Sequence, residues 1–186
     1  MGFFGWLRKG RDGGDVKAWR EQWTRAVESR DPAAFDRLAA DLRRQPPLAD
    51  DLEIEEEMLD GLRQLLHLER ELAASHLPVI ETTHRVVGAD RCHFSAPVSM
   101  PDDPSQPTGR LLLTSTRAVF AGGTRTPALP WHGTREIVQS GRDLIFVCKR
   151  VAEDDGFRFR CNSFADALCG AAIGRHLMRQ PRGARL

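Results

Sequence analysis

Tyrosine is absent from this 186-residue chain, and lysine nearly so. Only Lys9, Lys17 and Lys149 interrupt a basic complement otherwise made of arginine. That usage, with abundant alanine, reads as the bias of a GC-rich genome and carries no mechanistic weight. No apolar run approaches the about 18 residues that a membrane-spanning helix needs. The four cysteines, Cys92, Cys148, Cys161 and Cys169, lack C-x-x-C spacing. Without a signal peptide they read as reduced thiols of a cytoplasmic protein. No Gly-rich phosphate loop, G-x-S-x-G elbow, Rossmann fingerprint, H-E-x-x-H pair or EF-hand spacing occurs, so no cofactor or metal is expected. The net charge of +1 argues against a dedicated nucleic-acid binder.

What is present is unevenly placed. Residues 1–75 hold 12 Lys/Arg against 16 Asp/Glu, and residues 76–186 hold 15 against 10. The hydrophobic fraction, 41%, suffices for a packed core. Residues 1–14 form an apolar-basic, Gly-rich stretch expected to be flexible. Within it Phe3, Phe4, Trp6, Arg8 and Lys9 have the composition of a membrane-interface wedge. A loose terminus is the plainer reading.

Residues 15–75 read as three helices. In the first, 15–30, Val16, Trp19, Trp23, Ala26 and Val27 share one face. In the second, Asp31 can cap, Pro32 suits the first helical position and Pro46-Pro47 stops the helix. The third, 51–74, opens on Asp51, Glu53, Glu55, Glu56, Glu57 and Asp60. These suit a solvated acidic face near a helix N-terminus. Leu52, Leu59, Leu66 and Ala73 recur every seven residues, with Met58, Leu62, Leu65 and Leu72 beside them, a pattern that can pack against another helix or a second copy of the chain.

Beyond His76 the pattern shifts to short β-branched runs separated by turn residues. Strands are expected near 79–87, 91–99, 109–114, 117–121, 126–131, 134–139, 143–149 and 156–161. A helix capped by Ser163, with Asp166 three residues on, closes a β-domain over 76–180. A basic tail, 181–186, follows. The chain is therefore expected to be α+β: a helical region, then an antiparallel barrel or sandwich capped by a helix.

Candidate chemistry is sparse. Cys92 and His93 are adjacent in a strand and point to opposite faces, so they cannot form a dyad. If the last hairpin turns at Asp154-Asp155 or Asp155-Gly156, Cys148 and Cys161 share a face with Phe146, Phe157 and Phe159. Buried core thiols are then the simplest reading. The arginines of the β-domain are the best candidates for contacts. Arg110, Arg117, Arg125, Arg158 and Arg160 can grip an anion or a partner with their forks.

The pattern Gly109-x-Leu111-x-Leu113-Thr114-x-x-Arg117-x-x-Phe120-x-Gly122 resembles the second and third strands of GRAM and bacterial PH-like domains. "ALPWHGTREIVQSGRDLIFV" and "FRFRC" before a capped helix are similar to their later strands and close. The resemblance covers about residues 91–178. It implies a seven-stranded, helix-capped β-fold and a binding role. Membrane-binding PH domains hold headgroups in a basic pocket between their first strands. Here that region, "CHFSAPVSMPDDPSQPTGR", carries two Asp and no Lys. The expected function is a non-enzymatic adaptor for a protein partner, docking through a sheet edge and the last helix. The alternative is a peripheral membrane module in which the N-terminal wedge and the arginines meet anionic lipid. A homodimer through 51–74 is a further expectation.

Overall fold

The structure, a computed structural model, describes residues 5–44, 52–122, 127–149 and 156–180, with side chains from Val16 onward. The chain divides into two compact units, Met1–Leu66 and His67–Leu186. Among the described residues the fold is α+β: four α-helices and a seven-stranded antiparallel sheet. None of these helices is long and apolar enough to cross a membrane.

The first unit contains α1 (Gly5–Ser29), α2 (Pro32–Arg44) and most of α3 (Glu53–Ala73). Helix α1 begins at Gly5 rather than near Asp15, so helical backbone runs through the Gly-rich stretch expected to be flexible. Once a helix is nucleated, each further residue adds a hydrogen bond, which offsets part of the glycine penalty. Asp31 caps α2 as expected, its Oδ1 accepting the Ala33 N–H at 2.9 Å. Trp19 and Trp23 are buried on one face of α1. Their indole N–H groups donate to Leu38 O at 3.1 Å and Met58 O at 2.7 Å. Each tryptophan thus fills core space and also ties α1 to a neighbouring helix.

The buried stripe of α3 is Met58, Leu62, Leu65 and Leu68, the first three being residues expected beside the heptad positions; Leu52, Leu59 and Leu66 are half-buried and Ala73 is exposed. One expectation for α3 needs correction. Glu55 does not belong to a solvated acidic face. It precedes Met58 and Leu62 by three and seven residues, lies on their side of the helix, and is 1% exposed.

In the second unit the sheet has the order β4-β3-β2-β1-β7-β6-β5. The strands are β1 (Cys92–Ser99), β2 (Thr108–Thr114), β3 (Arg117–Ala121), β4 (Ala128–Pro130), β5 (Thr134–Ser140), β6 (Asp143–Cys148) and β7 (Gly156–Cys161). Helix α4 (Phe164–Arg179) follows, with Ser163 Oγ accepting the Asp166 N–H at 3.0 Å. β1 joins the two halves of the sheet. It pairs with β2 along its whole length but with β7 only at Val98 and Ser99. The sheet therefore curls. Phe120 on β3 and Phe159 on β7 are three strands apart in order, yet their ring centroids lie 5.8 Å apart. Phe146 meets Phe159 edge-on at 5.6 Å.

Helix α4 closes this apolar interior through its small residues. A Cβ at Gly170 would stand 2.9 Å from Leu144, and one at Gly174 would stand 2.6 Å from Ile137. Gly109 and Gly122 serve a close approach of β2 and β3. A Cβ on Gly109 would lie 2.7 Å from Gly122 Cα, so both glycines permit the close approach. Gly141, at φ +58°, makes the tight corner between β5 and β6.

The strand expected at 79–87 does not form. Only an isolated bridge pairs Ile80 with Cys92, and Arg85–Val87 make a 3₁₀ turn closed by Gly88 at φ +64°. β-Branched residues need a partner edge to become a strand. Here Val87 instead packs on Cys92 and Leu112 over the outer face of the sheet. This cover explains why Leu111, Leu112 and Leu113 are all buried. The expected strand at 126–131 shortens to β4, and Trp131 enters a second 3₁₀ turn.

The register of β6 with β7 also differs from expectation. Phe146 pairs with Phe157 and Asp143 with Arg160, while the Cys161 N–H bonds Arg142 O. Cys161 is therefore about 20 Å along the strand from the level of Cys148, although both keep the expected parity. This pairing is not the one that a corner at Asp154-Asp155 or Asp155-Gly156 would give. Hydrophobic alternation cannot detect such a slip, because moving a strand by an even number of residues leaves every side chain on its face.

Candidate functional site

The outer face of the sheet carries the charged cluster that the sequence only partly announced. Arg158 and Arg160 alternate with Phe157 and Phe159, so both point outward from β7. Asp143 on β6 is paired directly with Arg160 and lies between the two forks. Arg158 Nη2 donates to Asp143 Oδ2 at 2.6 Å, and its Nε to the same oxygen at 2.9 Å. Arg160 Nε donates to Oδ1 at 2.9 Å, and its Nη2 to Oδ2 at 3.2 Å. Asp102, on the loop after β1, adds a contact to Arg158 Nη1 at 3.4 Å. The Asp143 residue is 7% exposed, whereas the Arg158 and Arg160 side chains remain 35% and 53% exposed. Burial pushes the Asp143 carboxyl up, but hydrogen bonds from Arg160 and Arg158 outweigh it and hold it below the ordinary value of 3.8.

The other candidate arginines are also engaged. Arg110 donates from Nε to Ser95 Oγ at 2.9 Å, across the β1–β2 ladder. Arg117 donates from Nη2 to Val86 O at 3.3 Å, which pins the 3₁₀ turn, and its Nε lies 4.0 Å from Asp90. Arg125, Phe3 and Phe4 lie outside the described residues. Trp6, Arg8 and Lys9 fall on the first turns of α1, with their side chains outside the description. The structure thus brings Arg158 and Arg160 together and gives Arg110 and Arg117 separate structural partners. Asp143 and Ser95, which hold two of these sites in place, were missed in the sequence. The available signal was the placement of Asp143 directly after the Ser140-Gly141-Arg142 corner.

At the edge of the sheet, Arg175 on α4 donates from Nε to Ile137 O of β5 at 3.0 Å. One outward carbonyl of this terminal strand is therefore already occupied, which blunts the edge toward strand addition. In the helical unit, a groove of about 360 Å³ runs between α2 and α3, lined by Phe35, Leu42, Leu52 and Leu59 with Arg43 and Glu56 at its border.

Three of the four cysteines, Cys92, Cys148 and Cys161, are poor thiolates. Burial pushes the Cys161 thiol up to about 12, and it also raises Cys92 and Cys148, so none is a ready thiolate near neutral pH. Among the described residues no group of three or more His, Cys, Asp or Glu is placed to hold a metal ion.

One pair escaped the sequence reading, because its members are separated by 22 positions. β1 carries a bulge: Cys92 pairs with Thr114 and Phe94 with Leu113, leaving His93 as the extra residue. Its ring reaches the corner between β2 and β3, where Nε2 lies 2.9 Å from Ser115 Oγ. On its other side Nδ1 lies 2.6 Å from Pro78 O. Burial lowers the His93 pKa below the ordinary 6.5, helped by the charges of Arg91 and His176. The corner itself is tied by Thr114, whose Oγ1 accepts the N–H of Arg117 at 3.2 Å, the expected side-chain turn.

No protein-family model matches this chain, and no curated protein matches it significantly.

Proposed function

We propose that this chain is a non-enzymatic adaptor whose second unit is a PH/GRAM-like module that binds a protein partner through the outer face of its sheet. The observation that carries this reading is the clamp of Arg158 and Arg160 on Asp143. An anionic membrane selects uncompensated positive charge. Here the two arginines share one buried carboxylate, and Asp102 further offsets Arg158. What remains is a pre-ordered set of half-exposed guanidinium planes of mixed surrounding charge. Arginine held in this way is enriched at protein interfaces, and its ordering cost is met before the partner arrives.

The alternative is a peripheral membrane module, favoured by the placement of Trp6, Arg8 and Lys9 on one continuous helix. Two measurements separate the readings. Affinity capture from the native host should yield one dominant protein, reduced about tenfold or more by Arg160→Ala if that side chain is an interface anchor. A thermal melt should show that the variant stays folded. Co-sedimentation with anionic vesicles at low salt should be negligible. Vesicle binding that disappears when residues 2–11 are deleted would replace the adaptor reading with the membrane one.

A further inference from the structure

We propose that Ser115 is a self-acylation site, with His93 as its base and an activated acyl ester or thioester as the donor. The geometry dictates how the protons sit. Pro78 O can only accept, so the Nδ1 that lies 2.6 Å from it must carry the hydrogen. In the neutral ring Nε2 then holds the free lone pair. The Ser115 hydroxyl has one hydrogen and two acceptors in reach: Nε2 at 2.9 Å and Arg91 O at 3.5 Å. The nearer acceptor takes it. The outcome is a hydroxyl hydrogen-bonded to an imidazole whose tautomer is fixed by a third group, the arrangement that activates a serine nucleophile.

Three features point beyond a structural tie. The bulge at His93 turns the ring toward the corner instead of leaving it in the ladder, and bulges recur where a side chain must be re-aimed. His93 is 5% exposed while Ser115 is exposed, so the base is dry and the nucleophile faces solvent. Burial favours the neutral, proton-accepting form of the ring; it outweighs the hydrogen bond to Pro78 O and is helped by the Arg91 charge.

The step balances without an external oxidant or reductant. Ser115 Oγ bonds to the acyl carbon as the bond from that carbon to the leaving oxygen or sulfur breaks. The hydroxyl proton passes to His93 Nε2 and then to the departing group. The reaction stops there. The Ser115 N–H is committed to Arg91 O, and the Thr116 N–H faces Thr114 Oγ1, so neither is aimed at a developing oxyanion. A missing donor of that kind slows acylation and hydrolysis alike by about 10²–10³. An activated donor, with its good leaving group, can still load Ser115, whereas the alkyl ester formed has a poor leaving group and reacts slowly with water. The product is a stable acyl-serine, which agrees with a binding module that is modified rather than one that turns over substrate.

The test is incubation of the full chain with p-nitrophenyl acetate, reading nitrophenolate release and the site of acetylation by peptide mass spectrometry. One equivalent of release is expected, with acetyl on the Ser115 peptide. Ser115→Ala should lose both; because it also leaves the buried His93 Nε2 without its partner, a melt checks that the variant remains folded at the assay temperature. His93→Gln should slow acetylation about 10²–10⁴-fold, its fold being checked by the same melt. Ser105, exposed and hydrogen-bonded to Asp103 at 2.6 Å, is the internal reference. Ser115 acetylated no faster than Ser105, or undiminished release from Ser115→Ala, would overturn the proposal whatever the behaviour of the His93 variant.

Discussion

Among the described residues, each unit of this chain buries one carboxylate against arginine, and the two do it differently. In the helical unit Glu55 is 1% exposed, and its Oε1 receives Arg20 at 2.5–2.7 Å while its Oε2 has no hydrogen-bond partner. In the β unit Asp143 has both oxygens engaged by two arginines. The helical site places a long acidic side chain on the buried side of α3, where Arg20 reaches one oxygen and the other has no partner. The β site exploits the ladder: Arg160 lies opposite Asp143, and Arg158 two residues earlier on the same face. A sheet delivers donors at regular intervals on both sides of a residue, whereas a helix pair delivers them along a single line of contact. Glu55 is consequently a site of residual cost, and Asp143 a site of satisfied organisation.

The largest effect should come from removing the sole donor of the poorer site. Arg20→Ala strands the Glu55 charge among apolar side chains and should destabilise the helical unit by about 3 kcal/mol. Urea denaturation followed by amide hydrogen exchange over residues 16–66 measures this. A loss confined to a few tenths would mean that Arg20 contributes little to holding Glu55 in the fold.

Next in size is Asp143→Asn, which replaces charge-assisted bonds by weaker ones and should cost the β unit about 2 kcal/mol near neutral pH. The difference should also depend on pH. The folded-state pKa of Asp143 is held below its ordinary 3.8, so its contribution is complete above that value and is lost as pH falls through the folded pKa. Stabilities of the wild type and Asp143→Asn should converge in that acid range. A gap that stays constant there would show that the clamp contributes shape and not charge.

The smallest change is expected from Glu55→Met. It removes the orphaned oxygen, keeps the chain length, and leaves Arg20, whose side chain is 48% exposed, free to turn to water. Stability should change by no more than about 1 kcal/mol, in either direction. A large loss would place Glu55 on the same footing as Asp143 and erase the contrast between the units.

Much of the fold was legible because it rests on local rules. Asp31-Pro32 opened a helix, Ser163 capped another, Gly141 made a corner, and Thr114 closed a turn, each through atoms within a few positions of one another. The outward pairing of Arg158 with Arg160, and the inward parity of Phe157, Phe159 and Cys161, followed from alternation alone. The misreadings share a different cause. The run 79–87 has strand-forming residues, but its pairing ends after the single bridge at Ile80. Glu55 reads as one of many carboxylates until α1 is laid against it. The clamp and the Ser115–His93 contact join residues 15 to 22 positions apart, and nothing in the spacing marks them.

By itself, the order of residues determined most of the segments that become helix or strand, and which side of each strand is apolar, because propensity, capping and side-chain alternation act over a few residues. Only the tertiary structure decided how far each strand slides along its neighbour, which of many similar charges are buried, and which polar side chains meet. Those outcomes depend on distances between segments far apart in the chain, and even-numbered slips of a strand leave the local pattern unchanged.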